Sequence, residues 1–414
     1  MTSFDALGLA PAVLQGVRTA GYDTPTPVQA ATLPLALKGI DVVGVAQTGT
    51  GKTAAFVLPI LDYLVKEPTR GRRRIRALVV TPTRELALQV QASVKSYGAA
   101  TPLTSATIYG GVGKGPQRDA LRRGIDVVVA TPGRLLDFLG EGVLDLSSVD
   151  ILVLDEADRM FDMGFLRDVK RIVAAVPEQR QTLLFSATMP PEIQALAKSV
   201  LYKPETVEIG ERRDPAATVA QRAVRIPEAD KQSLLEHVLD IEDVDRAIVF
   251  SRTKYRADRI TKKLTRAGVS AVAIHSNRSQ GQRQRALDGF ASGTFRILVA
   301  TDIAARGLDV TGVSHVVNFD LPNVPEDYIH RIGRTGRAGA SGDAISFVSA
   351  EESSNLTAIE KHTGQTIDQA RFEGFAPPPP GATPVPAKRG RQSSGPRGGG
   401  GGRRDGKRRN ERRR

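Results

Sequence analysis

Short apolar runs recur along this chain and alternate with longer segments of helical pattern. Such runs predict buried strands, and helices between them favour a parallel sheet with helices on both faces. In the first half of the chain the runs lie at 41–45, 77–80, 107–109, 126–130, 151–154 and 182–185. In the second half they lie at 247–250, 271–274, 297–300, 315–318 and 344–348. The sequence therefore predicts an α/β fold made of two similar units in tandem.

Composition divides the chain into two folded domains and a tail. The length of 414 residues and a hydrophobic content of 40% suffice for two domains with real cores. The stretch 210–218 is polar and contains proline, which predicts a linker. After Phe375 the chain is dominated by Pro, Gly, Ser and Arg, which is typical of disorder. We expect domain 1 at 1–209, domain 2 at 219–374 and a disordered basic tail at 375–414.

The positive charge of the chain lies mainly in that tail. Residues 388–414 contain twelve Lys or Arg and two carboxylates, so they carry +10 of the net +13, and the other 387 residues carry +3. The chain has no cysteine, which excludes disulfides and thiolate metal sites and fits a reducing cytoplasm. No signal peptide and no run long enough to span a membrane are evident, so we expect a cytoplasmic protein without a membrane partner.

A glycine-rich turn links the first apolar run to a helical segment. It reads AQTGTGKT, from Ala46 to Thr53. Glycines let backbone N–H groups turn toward phosphate oxygens, and a helix N-terminus favours anions. The order of strand, turn and helix predicts a nucleotide phosphate loop, in which Lys52 reaches the β- and γ-phosphates and Thr53 ligates Mg²⁺. The other positions of the loop that face phosphate are Thr48, Gly49, Thr50 and Gly51.

Two adjacent carboxylates follow another apolar run. Asp155 and Glu156 stand directly after 151–154, at the carboxyl end of a strand, where ligands bind in open α/β sheets. An aspartate there holds Mg²⁺, and a neighbouring glutamate orients or deprotonates a water. The alternatives are an acidic loop here and a nucleotide-free glycine turn upstream, where Ala46 replaces the usual glycine. Because each motif supports the other, we predict a phosphoryl-transfer site.

Two strands of the first unit are followed by the same pattern, Thr-Pro, one residue and Arg. It occurs at 81–84 and 131–134. Thr and Pro start helices well, and that role alone would explain the pattern. The helix N-termini and arginines could also hold successive phosphates of a polynucleotide, together with Gly110-Gly111 and, in the second unit, Thr301. The residues alone leave capping and nucleic-acid binding open.

The second unit carries arginines at three-residue spacing, Arg331, Arg334 and Arg337. A helix would place them along one face. A solvated basic face is one interpretation. Gly333 and Gly336 would be costly in a surface helix, however, which favours a ligand or packing reason. Phosphate-loop enzymes complete their site with an arginine finger, and this unit has no phosphate loop of its own, so we predict that it supplies the finger.

Taken together, the motifs match one family. The chain resembles the DEAD-box RNA helicases, and its short basic tail makes it similar to their bacterial RhlE-like branch. The resemblance covers about Phe4 to Val348. The motifs that carry it are, in order, GY…TPTPVQ (21–29), AQTGTGKT (46–53), PTRELA (82–87), GG (110–111), TPGR (131–134), DEAD (155–158), SAT (186–188), VFSRT (249–253), QGQR (280–283), ATDIAARGLD (300–309) and HRIGRTGR (330–337).

This resemblance implies two RecA-like domains that close on ATP, Mg²⁺ and one RNA strand. Gln29 would read adenine, Tyr22 would stack on the base and Asp309 would contact the ribose. The residues implied to couple the ATP site to domain closure are Asp158, Ser186, Thr188, His330 and Arg331. The residues implied to lie along the RNA are Arg84, Gly110, Gly111, Thr131, Arg134, Arg283 and Thr301. Lys52, Asp155, Glu156, Arg334 and Arg337 would form the catalytic set.

Two stretches fall outside this pattern. Where the family commonly has His-Gly-Asp, the chain has His275, Ser276 and Asn277, and we expect no RNA contact from the last two. The run 70–76 (RGRRRIR) is strongly basic, and we interpret it as a solvated loop in preference to an RNA contact.

The resemblance implies an RNA-stimulated ATPase that locally unwinds or remodels RNA duplexes and ribonucleoproteins with little sequence preference. The basic tail would act as an auxiliary RNA tether. An RNA annealing chaperone, in which ATP times RNA release, is the alternative that the tail supports. A DNA translocase is a third alternative. Single-stranded and duplex RNA are the expected partners, with ribosomal and mRNA-decay ribonucleoproteins as candidate assemblies.

Overall fold

The structure is a computed structural model. It describes residues 3–46, 49–69, 71–209, 219–242, 244–305, 312–336 and 342–375, except for the side chains of residues 303 and 305. Within this part of the chain the backbone forms two seven-stranded sheets covered by helices. No helix in these ranges is both long enough and apolar enough to cross a bilayer.

The first sheet and its helices occupy the N-terminal half. Its strands are β1 (Val42–Val45), β2 (Ala77–Val80), β3 (Ser105–Ile108), β4 (Val127–Ala130), β5 (Ile151–Leu154), β6 (Gln181–Ser186) and β7 (Glu205–Glu208). Its helices are α1 (Pro11–Thr19), α2 (Pro27–Ala36), α3 (Lys52–Lys66), α4 (Arg84–Tyr97), α5 (Lys114–Arg123), α6 (Pro132–Gly140), α7 (Ala157–Asp162), α8 (Leu166–Val173) and α9 (Pro191–Val200). A 3₁₀ turn at Phe4–Leu7 precedes them.

The second sheet and its helices follow. Its strands are β8 (Val219–Arg225), β9 (Ala247–Phe250), β10 (Ala271–Ile274), β11 (Ile297–Ala300), β12 (His315–Asn318), β13 (Gly342–Val348) and β14 (Asp368–Gln369). Its helices are α10 (Lys231–Ile241), α11 (Lys254–Arg266), α12 (Gln280–Ala291), α13 (Asp302–Ala305), α14 (Pro325–Ile332) and α15 (Ser353–Thr363). Short 3₁₀ turns lie at Glu228–Asp230 and Ala350–Glu352.

Both sheets are parallel and have the same strand order. The first runs β3-β4-β2-β5-β6-β1-β7 and the second β10-β11-β9-β12-β13-β8-β14, so each strand of one sheet has a counterpart seven strands later in the other. Apolar clusters cover the two faces of each sheet, as expected for parallel strands that read as continuous hydrophobic runs. The predicted α/β fold of two similar tandem units is confirmed.

Each predicted apolar run overlaps a strand, but three strands were not predicted. β7 exposes three of its four residues, and β14 is an edge strand of two residues, both of them exposed. Polar residues interrupt the apolar pattern of β8. Since an edge strand buries little, it needs no continuous apolar run and leaves little trace in the sequence.

The arginine-rich segment of the second domain is not one helix. α14 ends at Ile332, Gly333 caps it, and Gly336 has a φ of 66°. Gly333 has a φ of −65°, so the left-handed residue is Gly336, in the turn beyond the helix. The prediction of three arginines on one helical face is therefore wrong, because Arg331 lies on the helix and Arg334 in the turn after it.

The strands of the first sheet place the predicted motifs at one edge of the sheet, where the strands have their carboxyl ends. β1 leads toward the glycine-rich turn, β5 into Asp155, and β6 ends at Ser186. β5 and β6 pair in parallel, as do β6 and β1, so their carboxyl ends are neighbours. This parallel register is what brings segments more than a hundred residues apart into one site.

Candidate active site

The phosphate loop opens α3. Gly49 and Gly51 have φ values of 88° and 94°, a backbone conformation that favours glycine. Lys52 is 6% exposed, and its ammonium donates to the carbonyl oxygen of Ala46 across the loop at 2.7 Å. A buried ammonium and the free N–H groups of a helix N-terminus converge here, which is the chemistry of an anion site. Thr53 occupies the first turn of the helix, and Thr48 lies outside the described residues.

Gln29 lies against this loop. Its amide nitrogen donates to the carbonyl oxygen of Gly51 at 3.0 Å, and its amide oxygen accepts from the backbone N–H of Thr26 at 3.0 Å, as part of the capping box of α2. Tyr22 is 46% exposed and meets the buried ring of Tyr97 edge-on, with ring centres 5.9 Å apart. Of the two residues predicted to bind adenine, Gln29 thus contacts the phosphate loop directly, and Tyr22 presents a half-exposed ring packed against Tyr97.

The two carboxylates at the end of β5 differ in their electrostatics. Burial raises the pKa of Asp155 to about 7, although the charge of Lys52 opposes the shift. Burial also acts to raise the pKa of Glu156, but Arg159, Lys52 and Arg334 outweigh it, so that this pKa is lowered. Burial therefore dominates at Asp155, where Lys52 offsets it only in part, whereas the neighbouring cations prevail at Glu156. A divalent cation beside Asp155 would supply what is missing.

Glu156 has an unusual backbone conformation. Its φ of 52° and ψ of 53° lie in the left-handed region, which a non-glycine residue seldom adopts and which costs about 1–3 kcal/mol. Its carboxylate forms a buried ion pair with Arg159, three residues later on α7. The strained backbone and the ion pair with Arg159 together fix the orientation of this carboxylate, as expected of a group that positions a reactant.

Asp158 connects the acidic motif to the end of β6. Its Oδ2 accepts from the backbone N–H groups of Ala187 and Thr188, at 3.1 and 2.9 Å, and from the Thr188 hydroxyl at 3.0 Å. The hydroxyl of Ser186 accepts from the Asp158 backbone N–H at 3.1 Å and donates to the Thr188 carbonyl at 2.7 Å. These three predicted coupling residues form one hydrogen-bonded unit.

The second domain faces this unit with His330 and Arg334. Burial lowers the pKa of His330, Arg159 and Arg334 add to this effect, and Asp158 opposes it. Arg334 is 6% exposed and acts electrostatically on Glu156. A small cavity at this boundary is lined by Arg159 on one side and by His330 and Arg334 on the other. Of the two candidate finger arginines, Arg334 therefore lies at the domain boundary, while Arg337, like Asp309, lies outside the described residues.

Arg331 lies inside the second domain. It is 2% exposed, and it binds the carboxylate of Asp302 with two nitrogens, at 2.6 and 2.8 Å. It also donates to the side chain of Asn318 and the carbonyl of Asp320, and it stacks on Phe250. Arg331 thus joins the carboxyl ends of β9, β11 and β12, and it also lines the cavity at the domain boundary.

The predicted RNA residues of the first domain lie together. Gly111 has a φ of 80°, and a Cβ there would lie 2.0 Å from an amino nitrogen of Arg84. Arg134 donates with both amino nitrogens to the carbonyl of Val112, at 3.2 Å each. Arg84 and Arg134 thus lie beside a glycine turn whose backbone is not covered by side chains of its own. Gly110 belongs to this turn, and Thr131 caps the helix that carries Arg134.

Arg283 of the second domain pairs with Glu85 of the first. The distance is 2.8 Å, and both side chains are nearly buried. Gln280 donates to the same carboxylate oxygen at 3.3 Å. Arg283 was predicted as an RNA contact, whereas here it bridges the domains beside Arg84. The backbone N–H of Thr301, directly after β11, donates to the carbonyl oxygen of Ile274 at 3.3 Å.

We expect Glu85→Gln to weaken the cooperativity between ATP and RNA. The variant keeps the shape of the side chain but removes the charge that holds Arg283, so the closed arrangement loses one nearly buried ion pair. RNA affinity measured with a non-hydrolysable ATP analogue should fall about 5–50-fold, while RNA affinity without nucleotide should change little. Glu192→Gln, on the exposed start of α9, is the matched control. Equal losses with and without nucleotide would contradict a role in closure.

The structure also shows site residues that the sequence analysis missed. Glu85 and Gln280 bridge the domains, and Arg159 holds Glu156. The spacing of three residues between Glu156 and Arg159 is a signal for an ion pair on a helical turn. Nothing local in the sequence marks Glu85, because its partners stand about two hundred residues away. The loop at His275 is tied to α11 through Asp258 and, from Asn277, through Lys254.

Comparison with known proteins agrees with this geometry. The family described as DEAD/DEAH box helicase matches residues 26–196, and the helicase conserved C-terminal domain matches residues 230–339. The DEAD-box ATP-dependent RNA helicase CshA of Geobacillus kaustophilus is 44% identical over 372 residues, which cover 90% of this chain and 79% of that protein. The ATP-dependent RNA helicase DeaD of Mycobacterium tuberculosis is 48% identical over 374 residues, which cover 89% and 65% respectively.

The chain belongs to the DEAD-box ATP-dependent RNA helicases, a family of enzymes that hydrolyse ATP in response to RNA. Its two sheets are the tandem RecA-like domains of that family. The Dbp5 protein of S. cerevisiae bound to RNA and ADP BeF3 matches with a TM-score of 0.78 at 34% identity, covering 90% of this chain and 96% of that one. A DEAD box protein of Methanococcus jannaschii, at 38% identity and coverages of 90% and 99%, gives 0.54. The structure is thus closer in shape to the RNA complex, although the identity to that protein is lower.

Proposed function

We propose that this protein locally separates RNA strands by closing its two domains on ATP and RNA. The observation that carries the proposal is the division of both sites between domains. Glu156 in the first domain is within electrostatic reach of Arg334 in the second, and Glu85 pairs with Arg283 across the same boundary. Since hydrolysis needs groups from both sides, the site is complete only in the closed arrangement.

The proposed roles at the ATP site are those that the family resemblance implies, and the contacts of Gln29, Lys52 and Glu156 support them. Gln29 and Tyr22 would read adenine, and the loop from Gly49 to Thr53 would bind the phosphates. Glu156 would position the attacking water, and Arg334 would stabilise charge on the γ-phosphate. Arg337, Thr48 and Asp309 keep the roles that the family implies.

A magnesium ion fits the residues around Asp155. The buried carboxylate has a pKa raised by burial, and Thr53 follows Lys52, whose charge acts on Asp155, in the first turn of α3. No group of three or more potential ligands among His, Asp and Glu occurs in the described residues, so phosphate oxygens and water would complete the coordination, as magnesium commonly requires. When bound, the ion would neutralise charge that develops on the phosphates.

RNA and ATP should favour each other's binding. Both ligands contact both domains in this proposal, and each therefore favours the closed form that the other needs. The backbone N–H groups of glycines and the side chains of arginines, as at Gly111 and Arg84, bind phosphates. Such contacts give no preference for particular bases. If the closed surface accepts only one strand, closing on a duplex would separate a few base pairs. The enzyme would not need to move along the RNA to do so.

Several further assignments belong to the same proposal. We place domain 1 at 1–209, domain 2 at 219–374 and a basic tail after them, in the cytoplasm. Residues 388–414 carry +10, which suits a nonspecific RNA tether; the linker 210–218 and the tail lie outside the described residues. Assignment to the RhlE-like branch and the choice of ribosomal or mRNA-decay complexes stay predictions.

The proposal predicts that RNA stimulates ATP hydrolysis more strongly than DNA of the same sequence. RNA offers the 2′-hydroxyl to the contacts at the domain boundary, and DNA does not. Steady-state ATPase rates with matched single strands, and strand separation of a short duplex with and without ATP, are the measurements. Stimulation by RNA of at least about tenfold is expected. An ATPase rate that ignores RNA would refute the proposal, and equal stimulation by DNA would favour a DNA translocase.

A further inference from the structure

Two arginine-rich segments meet at the sheet edge opposite the phosphate loop and the acidic motif. Arg72, Arg73 and Arg74 precede β2, and Arg122 and Arg123 end α5 shortly before β4. β2 and β4 are paired neighbours, so their amino ends lie side by side. All five arginines are exposed. We call these five residues the amino-edge patch.

The two segments of the amino-edge patch are fixed to each other and to the domain. Arg72 donates to the backbone carbonyl of Arg122 at 3.1 Å, and Arg73 donates to that of Pro102 at 2.7 Å. Gly124 has a φ of 86°, and a Cβ there would lie 3.0 Å from the Cβ of Arg73. The backbone is therefore ordered before any ligand arrives, which lowers the entropic cost of binding.

Carboxylates neutralise the amino-edge patch only weakly. Arg73 reaches Asp126 at 3.7 Å and Arg122 reaches Asp119 at 3.8 Å, which are long distances for ion pairs. Among the described residues, no ion pair within 4.0 Å involves Arg72, Arg74 or Arg123. The folded body outside the tail carries only a small net charge, so this local excess is not a reflection of overall composition.

Helix α5 joins the amino-edge patch to the proposed RNA site. It begins three residues after Gly111 and presents Lys114, Arg118 and Arg122 at four-residue spacing, about 6 Å apart along the helix. Glu141 pairs with both Lys114 and Arg118, at 2.5 and 2.7 Å. Asp137 also approaches Lys114, at 3.8 Å, so two carboxylates face these two cations. Helix α5 therefore joins the two edges of the sheet by a row of cationic side chains, and its positive excess lies at its end, at Arg122 and Arg123.

We propose that the amino-edge patch binds the phosphate backbone of substrate RNA that continues past the core site along α5. The inference rests on the proposed RNA site at Arg84, Gly111 and Arg134. Guanidinium groups bind phosphate oxygens with two parallel hydrogen bonds, which suits arginine over lysine here. Continuity with the core site favours RNA over an acidic polypeptide. In this proposal the basic run 70–76, which the sequence analysis interpreted as a solvated loop, contributes to RNA binding.

The test compares short and long RNA in the full-length chain. The patch variant carries Arg74→Gln, Arg122→Gln and Arg123→Gln, which removes three exposed charges. The control variant carries Arg259→Gln, Lys262→Gln and Arg266→Gln on the exposed face of α11, which removes the same charge from domain 2. Affinities for single strands of about 8 and about 25 nucleotides are measured by fluorescence anisotropy at several salt concentrations.

We expect the patch variant to bind the long strand about 5–30-fold more weakly, with a salt slope smaller by about 2, and to bind the short strand normally. Its ATPase rate at saturating RNA should equal that of the unaltered protein. Unchanged affinity for the long strand, equal losses for both lengths, or the same loss in the control would overturn the inference. Failure of the unaltered protein to bind the short strand would instead count against the core site.

A second measurement locates the RNA directly. Since the chain has no cysteine, Arg123→Cys offers a single thiol for a photo-crosslinking reagent. Crosslinks to the long strand and none to the short one are expected. Crosslinks to neither would overturn the inference, as would capture of an acidic peptide in preference to RNA.

Discussion

Lys52→Ala should abolish RNA-stimulated ATP hydrolysis. The ammonium of Lys52 is buried and already held within the loop by the Ala46 carbonyl, so it is organised for phosphate before ATP binds. Loss of one preorganised charge that stabilises the transition state costs about 10²–10³ in rate. The charge also lowers the pKa of Asp155, so its removal shifts that carboxyl further toward the neutral form, which binds Mg²⁺ poorly.

Steady-state ATPase assays with saturating RNA, and equilibrium binding of a fluorescent ATP analogue, measure the two parts of this effect. Lys66→Ala, at the opposite end of the same helix, removes a half-exposed ammonium that pairs with Asp62 and serves as the control. A Lys52→Ala protein that folds, as shown by its far-UV circular dichroism, and still hydrolyses ATP within about threefold of the normal rate would contradict the assignment of the phosphate loop.

The ATP half of the site in domain 1 was predictable from the sequence because its residues lie at the ends of buried strands. Once the runs at β1, β5 and β6 are identified as parallel strands, their carboxyl ends must share one edge. The phosphate loop and the acidic motif then become neighbours without further information. The hydrogen bonds between Asp158 and Thr188 are a direct result of this register.

The domain boundary was less predictable, because no local pattern encodes it. The arginine spacing at 331–337 suggested a helix, but the helix ends at Ile332 and Arg334 lies in the turn after it. Arg331 instead forms an ion pair with Asp302 inside the second domain. The pair between Glu85 and Arg283 depends on how two separately folded sheets meet, which hydrophobic periodicity within either domain does not specify.

The basic run before β2 shows the same limit. Read alone, 70–76 is a charged loop, since nothing in its sequence indicates what lies next to it. The structure sets Arg72 against the end of α5. That neighbourhood, and the link through α5 to Gly111, come from the pairing of β2 with β4.

Glu156→Gln should trap the enzyme with ATP and RNA bound. The substitution keeps the size of the side chain and one oxygen that can accept from Arg159, but removes the negative charge that would orient and activate water. We expect the RNA-stimulated turnover number to fall about 10²–10⁴-fold, while affinities for ATP and RNA are retained. Single-turnover hydrolysis and RNA binding with ATP measure the two quantities, and Glu192→Gln is the control.

The backbone of Glu156 makes this experiment more informative than a charge deletion elsewhere. Its left-handed conformation is costly for Glu and for Gln alike, so the variant leaves the strain unchanged and alters only the chemistry of the carboxyl group. Retained binding with lost turnover would assign Glu156 to the water. Turnover within about threefold of normal would mean that the strained geometry and the Arg159 pair serve the fold of α7, and that another group activates the water.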